Sequence, residues 1–279
     1  MTCIEKVRDF WEKSPLWTGE SKHQPGSLNF FKEHKSIYYE DCFAGSFDPR
    51  FLPVNHASKS LKILDLGCGI GFWTTEFASR GFTHVHAADL TEKALELTAT
   101  RLELNNLKAD LSLQNAEKTN FEDESFDHVN CQGVIHHTPD THAAVKEIFR
   151  ILKPGGSASI SVYYRNIFLR AWPVLKPLGW LISLFGGKLK GRGREKIFQE
   201  SNVDEIVRLY DGVENPIGKS YSKKQVMELF EPFFSVEETY LHFFPARSLP
   251  FKIPKLIHRF LDKRCGFMIY ATLQKKCAE

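Results

Sequence analysis

Short apolar runs alternate with segments of helical periodicity between residues 61 and 163. Residues 61–66 (LKILDL) form a run that stops at glycines, and 85–89, 111–113, 126–131 and 157–163 read as four further strands. Between them, 72–80 predicts a helix that Gly81 ends. Residues 91–105 predict a second, with Thr91 as its cap and Leu95, Ala99 and Leu102 facing inward. Residues 141–152 predict a third, with Ala144, Val145, Ile148, Ile151 and Leu152 inward and Lys153-Pro154-Gly155-Gly156 as its stop. Strands and helices alternating in this way predict an α/β fold with a doubly wound, mostly parallel sheet. Ligands of such sheets bind beyond the carboxyl ends of the strands.

The flanks have a different pattern. Residues 1–60 are irregular and aromatic, punctuated by Pro15, Pro25, Pro49 and Pro53, and read as an N-terminal lid. The α/β core is assigned to 61–163, a cap insertion to 164–220 and the completion of the sheet to 221–279. In that last part Ser222 caps a helix to Phe230, and 236–244 and 267–273 supply strands on either side of an amphipathic stretch at 250–263. The most apolar stretch is 167–187. Arg170, Pro173, Lys176 and Pro177 interrupt it, so it is too short to span a bilayer. Leu175, Leu178, Ile182 and Phe185 share one helical face, and a basic run from Lys188 to Lys196 follows. Two readings stand: a cap over a substrate site, or a peripheral contact with a membrane surface.

With 279 residues, 42% hydrophobic and 25% charged, the chain suits one large domain, or a domain with a cap. The charge balance of 37 Lys+Arg against 34 Asp+Glu argues against nucleic acid as a partner. No two of the six cysteines lie in a C-x-x-C pair, so no metal site is expected. Cys68 and Cys131 read as buried free thiols, which with the charged N-terminus points to the cytoplasm. Part of the excess of phenylalanine, 23 residues, is expected to line an apolar cavity.

The chemistry concentrates at Asp65-Leu66-Gly67-Cys68-Gly69-Ile70-Gly71, where glycines follow a strand and open a helix. A dinucleotide fingerprint needs a third glycine at position 72, which is Phe72, and no P-loop Lys-Ser/Thr is present. Asp65 could receive a cationic amine. Asp89, at the end of the second strand, could accept two ribose hydroxyls. The pattern favours a nucleoside with an amino-acid tail over a pyrophosphate ligand.

Four stretches resemble the class I S-adenosylmethionine-dependent methyltransferases, above all the group related to ubiquinone and menaquinone biosynthesis. They are ILDLGCGIG, HAADLTEKALELT, LQNAEKTNFEDESFDHVNCQGVIHHTPD and AVKEIFRILKPGGSASISVYYRN, in that order. The resemblance implies a Rossmann-like methyltransferase fold of seven strands, the last inserted antiparallel between the fifth and sixth. It implies S-adenosyl-L-methionine as cofactor, S-adenosyl-L-homocysteine as product, and methylation of a small-molecule acceptor on O, N or C. Gly67, Cys68 and Gly69 would hold the methionine part and ribose, with Asp65 near the amino group. Asp89 would bind the ribose, Leu90 would flank the adenine, and Ala116 and Glu117 would face its edge. Gln132 and Gly133 would lie beside the methionine tail and the methyl group, and the segment around Trp11 would cover the cofactor.

His136 and His137, just beyond the fourth strand, could take a proton from an acceptor or could hold their loop by hydrogen bonds. His23, His34, Tyr38 and Tyr39 could line an acceptor pocket. The leading function is a small-molecule methyltransferase, with a role in making a specialised metabolite. The alternatives are a lipid or quinone-precursor methyltransferase at a membrane surface, an RNA methyltransferase, and a cofactor-binding protein without catalysis.

Overall fold

A computed structural model of the chain describes residues 3–54, 56–184, 194–249 and 251–276. Its centre is a sheet of β1 (Lys62–Leu66), β2 (His84–Asp89), β3 (Asp110–Leu113), β4 (Phe126–Gln132), β5 (Leu152–Tyr164), β7 (Phe234–His242) and β8 (Met268–Lys275). Their order is β3-β2-β1-β4-β5-β8-β7, and the two-residue β6 (Ser220–Tyr221) pairs with β5 off this path. β1 to β5 are parallel, whereas β8 runs antiparallel between β5 and β7. The expected Rossmann-like, mostly parallel architecture is therefore present, with its one reversed strand where the resemblance placed it. Leu64, Val129, Ile160 and Leu273 are fully buried along the middle of the sheet. That burial explains why these strands read as apolar runs rather than alternating ones.

Helices α3 (Phe72–Ser79), α4 (Glu92–Leu104) and α5 (Thr141–Ile151) cross between the strands. Two local expectations need correction. The strand expected from Ser157 begins at Leu152, because α5 runs straight into it and the pairing with β4 slips between Phe126 and His128. Pro154 restrains Lys153 from helical dihedrals, so the helix stops at Ile151 and an extended turn is the outcome. The inward face of α4 is Ala94, Leu97, Thr98, Arg101 and Leu102, while Ala99 is exposed. The stripe is rotated because the buried Arg101 reaches across to the Ile70 carbonyl, 3.2 Å away.

The N-terminal 60 residues are held onto this core. Val7 and Phe10 of α1 (Cys3–Lys13) are buried. α2 (Leu28–Phe43) starts at Ser27, whose hydroxyl accepts from the Phe30 N–H. Phe43, Phe51, Phe72, Trp73 and Phe77 pack into one cluster against β8 and β7. Much of the phenylalanine thus goes into core packing, and Phe243 is the one that lines a cleft described below. Thr91 sits at the N-cap of α4 but makes no side-chain cap bond there. Glu12 of α1 does that work: its carboxylate accepts from the N–H groups of Glu92 (2.9 Å) and Lys93 (3.1 Å). The acid also sits favourably at the positive end of the helix dipole.

On the other flank are α6 (Ile167–Arg170), α7 (Trp172–Leu184), α8 (Val203–Tyr210), α9 (Lys223–Phe230) and α10 (Lys255–Cys265). Ser222 caps α9 with a reciprocal bond from Gln225, as the sequence suggested. Among the described residues no helix is long and apolar enough to cross a membrane.

Glu12 anchors α1 through the end of α4. Glu12→Ala should lower stability by about 1 kcal/mol, the usual cost of a lost N-cap. Urea unfolding should show a lower midpoint with an unchanged slope; an unchanged midpoint would mean that solvent caps α4 equally well.

Candidate functional site

Two clefts open beyond the carboxyl ends of the parallel strands. The first encloses about 860 Å³, and its floor and rim include Leu66, Gly67, Gly69, Asp89, Leu90 and Gln132. The second encloses about 920 Å³ and includes His34, Tyr38, His136, Tyr163, Asp211 and Arg247. Trp11, Leu16, Gln132, Gly133 and His137 line both clefts and so form a common wall.

The glycine turn is fixed by a carboxylate. Asp89 Oδ2 accepts from the Gly69 N–H at 2.9 Å, and its Oδ1 accepts from the N–H (3.0 Å) and hydroxyl (2.8 Å) of Thr91. Burial pushes the Asp89 carboxyl upward, and the bonds from Gly69 and Thr91 work against that shift. The glycines have different jobs. At Gly67 a Cβ would lie 2.3 Å from Val134 Cγ2, so this residue lets the β4 loop close over β1. At Gly69 and Gly133 a Cβ would meet nothing within 4 Å and would intrude on the clefts that these residues line.

Beneath the common wall runs a chain of polar side chains. Gln132 Nε2 donates to Ser159 Oγ (2.8 Å) and to Asn130 Oδ1 (3.0 Å). Asn130 Nδ2 donates to Asp65 Oδ1 at 2.8 Å, and the Thr74 hydroxyl donates to Asp65 Oδ2 at 2.6 Å. Gln132 Oε1 is buried with no hydrogen-bond partner. It is an acceptor on the wall of both clefts and lacks a donor, which is costly unless a ligand supplies one. A cationic amine fits this position.

The first cleft also brings in the expected Ala116 and Trp11. Asp65, Cys68, Glu117 and His136 are not among its lining residues. Asp65 is only 2% exposed, under the floor, and reaches the cleft through Asn130 and Gln132. Burial raises its carboxyl to about 6, against the bonds from Thr74 and Asn130. The Cys68 thiol is buried against Thr98 Oγ1, at 3.6 Å. Glu117 accepts from the Asp140 N–H at 2.6 Å and so pins the start of α5. Ile4, Val7, Gln114, Asn115 and Thr138 line the cleft as well; Gln114, Asn115 and Thr138 lie in the third stretch that carries the resemblance, which assigned them no role.

In the second cleft the two histidines differ. The Nδ1–H of His137 donates to the Ile217 carbonyl at 2.7 Å, while its Nε2 lies 3.4 Å from Asp211 Oδ2. The Tyr163 hydroxyl donates to the same Asp211 oxygen at 2.9 Å. The His137 ring packs edge-on against Trp11, with centroids 5.3 Å apart. His136 is buried, which together with the neighbouring His137 pushes its pKa well down, and its Nδ1 has no hydrogen-bond partner. His34 and Tyr38 line this cleft as expected, whereas His23 and Tyr39 do not, the Tyr39 hydroxyl donating to Glu76 at 2.8 Å. Tyr210, Asp211, Phe243, Arg247 and Tyr270 also line it, although no sequence motif marked them as site residues. Arg247 ties them together by binding Asp41 and Glu20 and lying over Trp17.

Residues 64–160 match the family described as a methyltransferase domain. Over 137 residues the chain is 37% identical to phosphoethanolamine N-methyltransferase 2 of Caenorhabditis elegans, covering 44% of this chain and 31% of that protein. It is 32% identical over 108 residues to a ubiquinone biosynthesis O-methyltransferase of Neisseria meningitidis, covering 38% of this chain and 45% of that one. The chain thus spans less than half the length of these two curated relatives. A Methanosarcina mazei protein described as an S-adenosylmethionine-dependent methyltransferase superposes with a TM-score of 0.55 at 22% identity, covering 79% of this chain and 95% of that one. The match is confined to 64–160, and the strand order around it is the one that the resemblance to class I S-adenosylmethionine-dependent methyltransferases implied.

Asp65 titrates with a definite sign. Its folded pKa, about 6, lies above the usual carboxylate value of 3.8, so its burial favours folding below that value. That contribution, up to about 3 kcal/mol, is lost as the pH rises through 6. The stability difference between the wild type and Asp65→Asn should therefore shift in favour of the variant between about pH 4 and pH 7. A difference independent of pH, measured by urea unfolding, would contradict a buried, raised carboxyl.

Proposed function

We propose that the protein is an S-adenosylmethionine-dependent methyltransferase acting on a small molecule, with the cofactor in the first cleft and the acceptor in the second. The observation that carries this reading is the common wall. Trp11, Leu16, Gln132, Gly133 and His137 face both clefts, so groups held in the two would meet there. The donor set fits the cofactor. Gln132 Oε1 is an unpartnered acceptor for its ammonium, Asp89 Oδ2, which holds a single bond from Gly69, has a lone pair left for a ribose hydroxyl, and Gly69 and Gly133 leave room for close approach. Leu90 and Ala116 offer apolar surface for the adenine.

The cofactor, when bound, supplies a sulfonium methyl that is already electrophilic. The chain's task is then to orient the acceptor and exclude water. Trp11 and Leu16 close the wall from the N-terminal side. His136 is buried and held neutral, which makes it a weak base, and its unpartnered Nδ1 serves as a hydrogen-bond acceptor at the second cleft rather than as the resting place of a proton. His137 has its Nδ1 engaged by the Ile217 carbonyl and serves as the post that holds Trp11. We assign the acceptor to small-molecule metabolism, with a specialised metabolite as the leading class. A lipid or quinone-precursor acceptor is the second reading. It is favoured by α7, where Leu178 is 55% exposed and, like Leu175, lines neither cleft. Phe185 and the part of the basic run from Lys188 to Arg192 lie outside the described residues, as do the side chains of Ile182, Arg194 and Lys196.

Calorimetry should detect binding of S-adenosylhomocysteine and none of NADH; the reverse result would end the proposal. Asp89→Ala should weaken S-adenosylhomocysteine at least tenfold, because it removes a charged acceptor and also frees the Gly69 turn. An unchanged affinity would remove Asp89 from the site.

A further inference from the structure

Helix α10 is built the wrong way round for a helix on a water-facing surface. Its polar His258 and Asp262 point into the protein and are buried. His258 Nε2 lies 2.9 Å from the Phe244 carbonyl, and Asp262 Oδ2 lies 2.6 Å from His242 Nδ1. Its apolar residues point outward: Leu256 is 79% exposed, Phe260 62% and Ile257 49%, and Phe251 just before the helix is 63% exposed. An ordinary amphipathic helix has the opposite arrangement.

The charges on this segment share one sign. Residues 251–265 hold Lys252, Lys255, Arg259, Lys263 and Arg264, all exposed, against a single acid, the buried Asp262. Lys255, Arg259 and Lys263 repeat every four residues beside the Leu256 and Phe260 row. Lys252, Lys263 and Arg264 form no ion pair among the described residues.

The position on the fold gives this face a direction. β7 is antiparallel to β8, which is antiparallel to β5, so β7 ends on the same sheet edge as β1, β2 and β4. α10 lies between the end of β7 and the start of β8, hence on the edge where both clefts open. Phe243 and Met268, on either side of it, line the second cleft. α6 adjoins it, with Asn166 Nδ2 donating to the Cys265 carbonyl at 2.7 Å, and leads into α7, where Val174 is 76% exposed. The segment 164–184 also carries Arg165, Arg170 and Lys176 and no acid.

We propose that α10 and the residues leading into it dock the protein on an anionic lipid surface. Exposed leucine, isoleucine and phenylalanine enter the boundary of the acyl chains, while the flanking lysines and arginines meet lipid phosphates. A protein partner or a second copy of this chain would supply acids to a few of these cations; a continuous anionic plane matches the whole one-signed rim. Docking in this orientation turns the mouth of the second cleft toward the bilayer. That further consequence rests on the acceptor assignment made above, whereas the docking itself does not.

The test is sedimentation of the full chain with vesicles of phosphatidylcholine, with and without phosphatidylglycerol. The wild type should pellet with the anionic vesicles and be released by salt. Leu256→Glu/Phe260→Glu and, separately, Lys252→Glu/Lys263→Glu should each weaken this binding at least about tenfold. All four side chains are exposed, so the affinity for S-adenosylhomocysteine should stay unchanged and report that the variants are folded. Should the first pair fail to fold, the lysine pair decides alone. The proposal is overturned if the wild type ignores anionic vesicles, or if the lysine pair binds them as the wild type does. A concentration-dependent dimer that Leu256→Glu/Phe260→Glu dissociates would also overturn it and assign the face to a second copy. Failure of the wild type to bind S-adenosylhomocysteine would count against the methyltransferase reading and leave the vesicle result standing.

Discussion

The contact on which the site depends is the one between the Asp89 carboxylate and the Gly69 N–H, 2.9 Å long. The same carboxylate holds the N–H and hydroxyl of Thr91. One group thus joins the turn after β1 to the end of β2 and the start of α4. Charge-assisted bonds of this kind contribute roughly 1.5–3 kcal/mol each, and here they offset part of the cost of burying the carboxylate, which stays shifted upward. From α4 the linkage continues outward. Its first two N–H groups take Glu12, Glu12 fixes α1, and α1 carries Trp11 to its place against His137. The wall between the two clefts is therefore the far end of a chain of contacts that begins at a single acid.

A second linkage meets it from below. Thr74, Asp65, Asn130 and Gln132 form a buried line of hydrogen bonds, and of its side-chain polar atoms only Gln132 Oε1 is buried without a partner. Burying such a line is expensive unless it is complete. Its one open end lies at the common wall, where a ligand donor would complete it. Asp65 therefore acts at a distance: it orients Asn130 and, through it, Gln132.

The second cleft is assembled differently. It gathers α2, the β4 loop, the end of α8 and the strand ends around Phe243 and Met268. Arg247 acts as the tie, since it reaches Asp41 on α2 and Glu20 in the loop before it, and covers Trp17. Elements this far apart in sequence meet only because β8 inserts between β5 and β7 and brings the end of the chain back to the middle of the sheet.

The sequence by itself determined the α/β alternation, the parallel half of the sheet and the glycine turn with Asp89 beside it. These are local: a strand, a turn and a helix are each encoded within a dozen residues, by periodicity and by glycines. Ser222 as a cap is legible for the same reason. What only the tertiary structure decided is which groups face a ligand. Asp65 and Gln132 sit in equally plausible places in the sequence, yet packing buries the first and leaves the second with an unpaired oxygen. Neighbouring histidines separate likewise, because the Ile217 carbonyl takes up Nδ1 of His137 while Nδ1 of His136 is buried without a partner. The inverted face of α10 was equally hidden. An amphipathic pattern reads the same whichever side is turned inward, and only the burial of His258 and Asp262 shows which one it is.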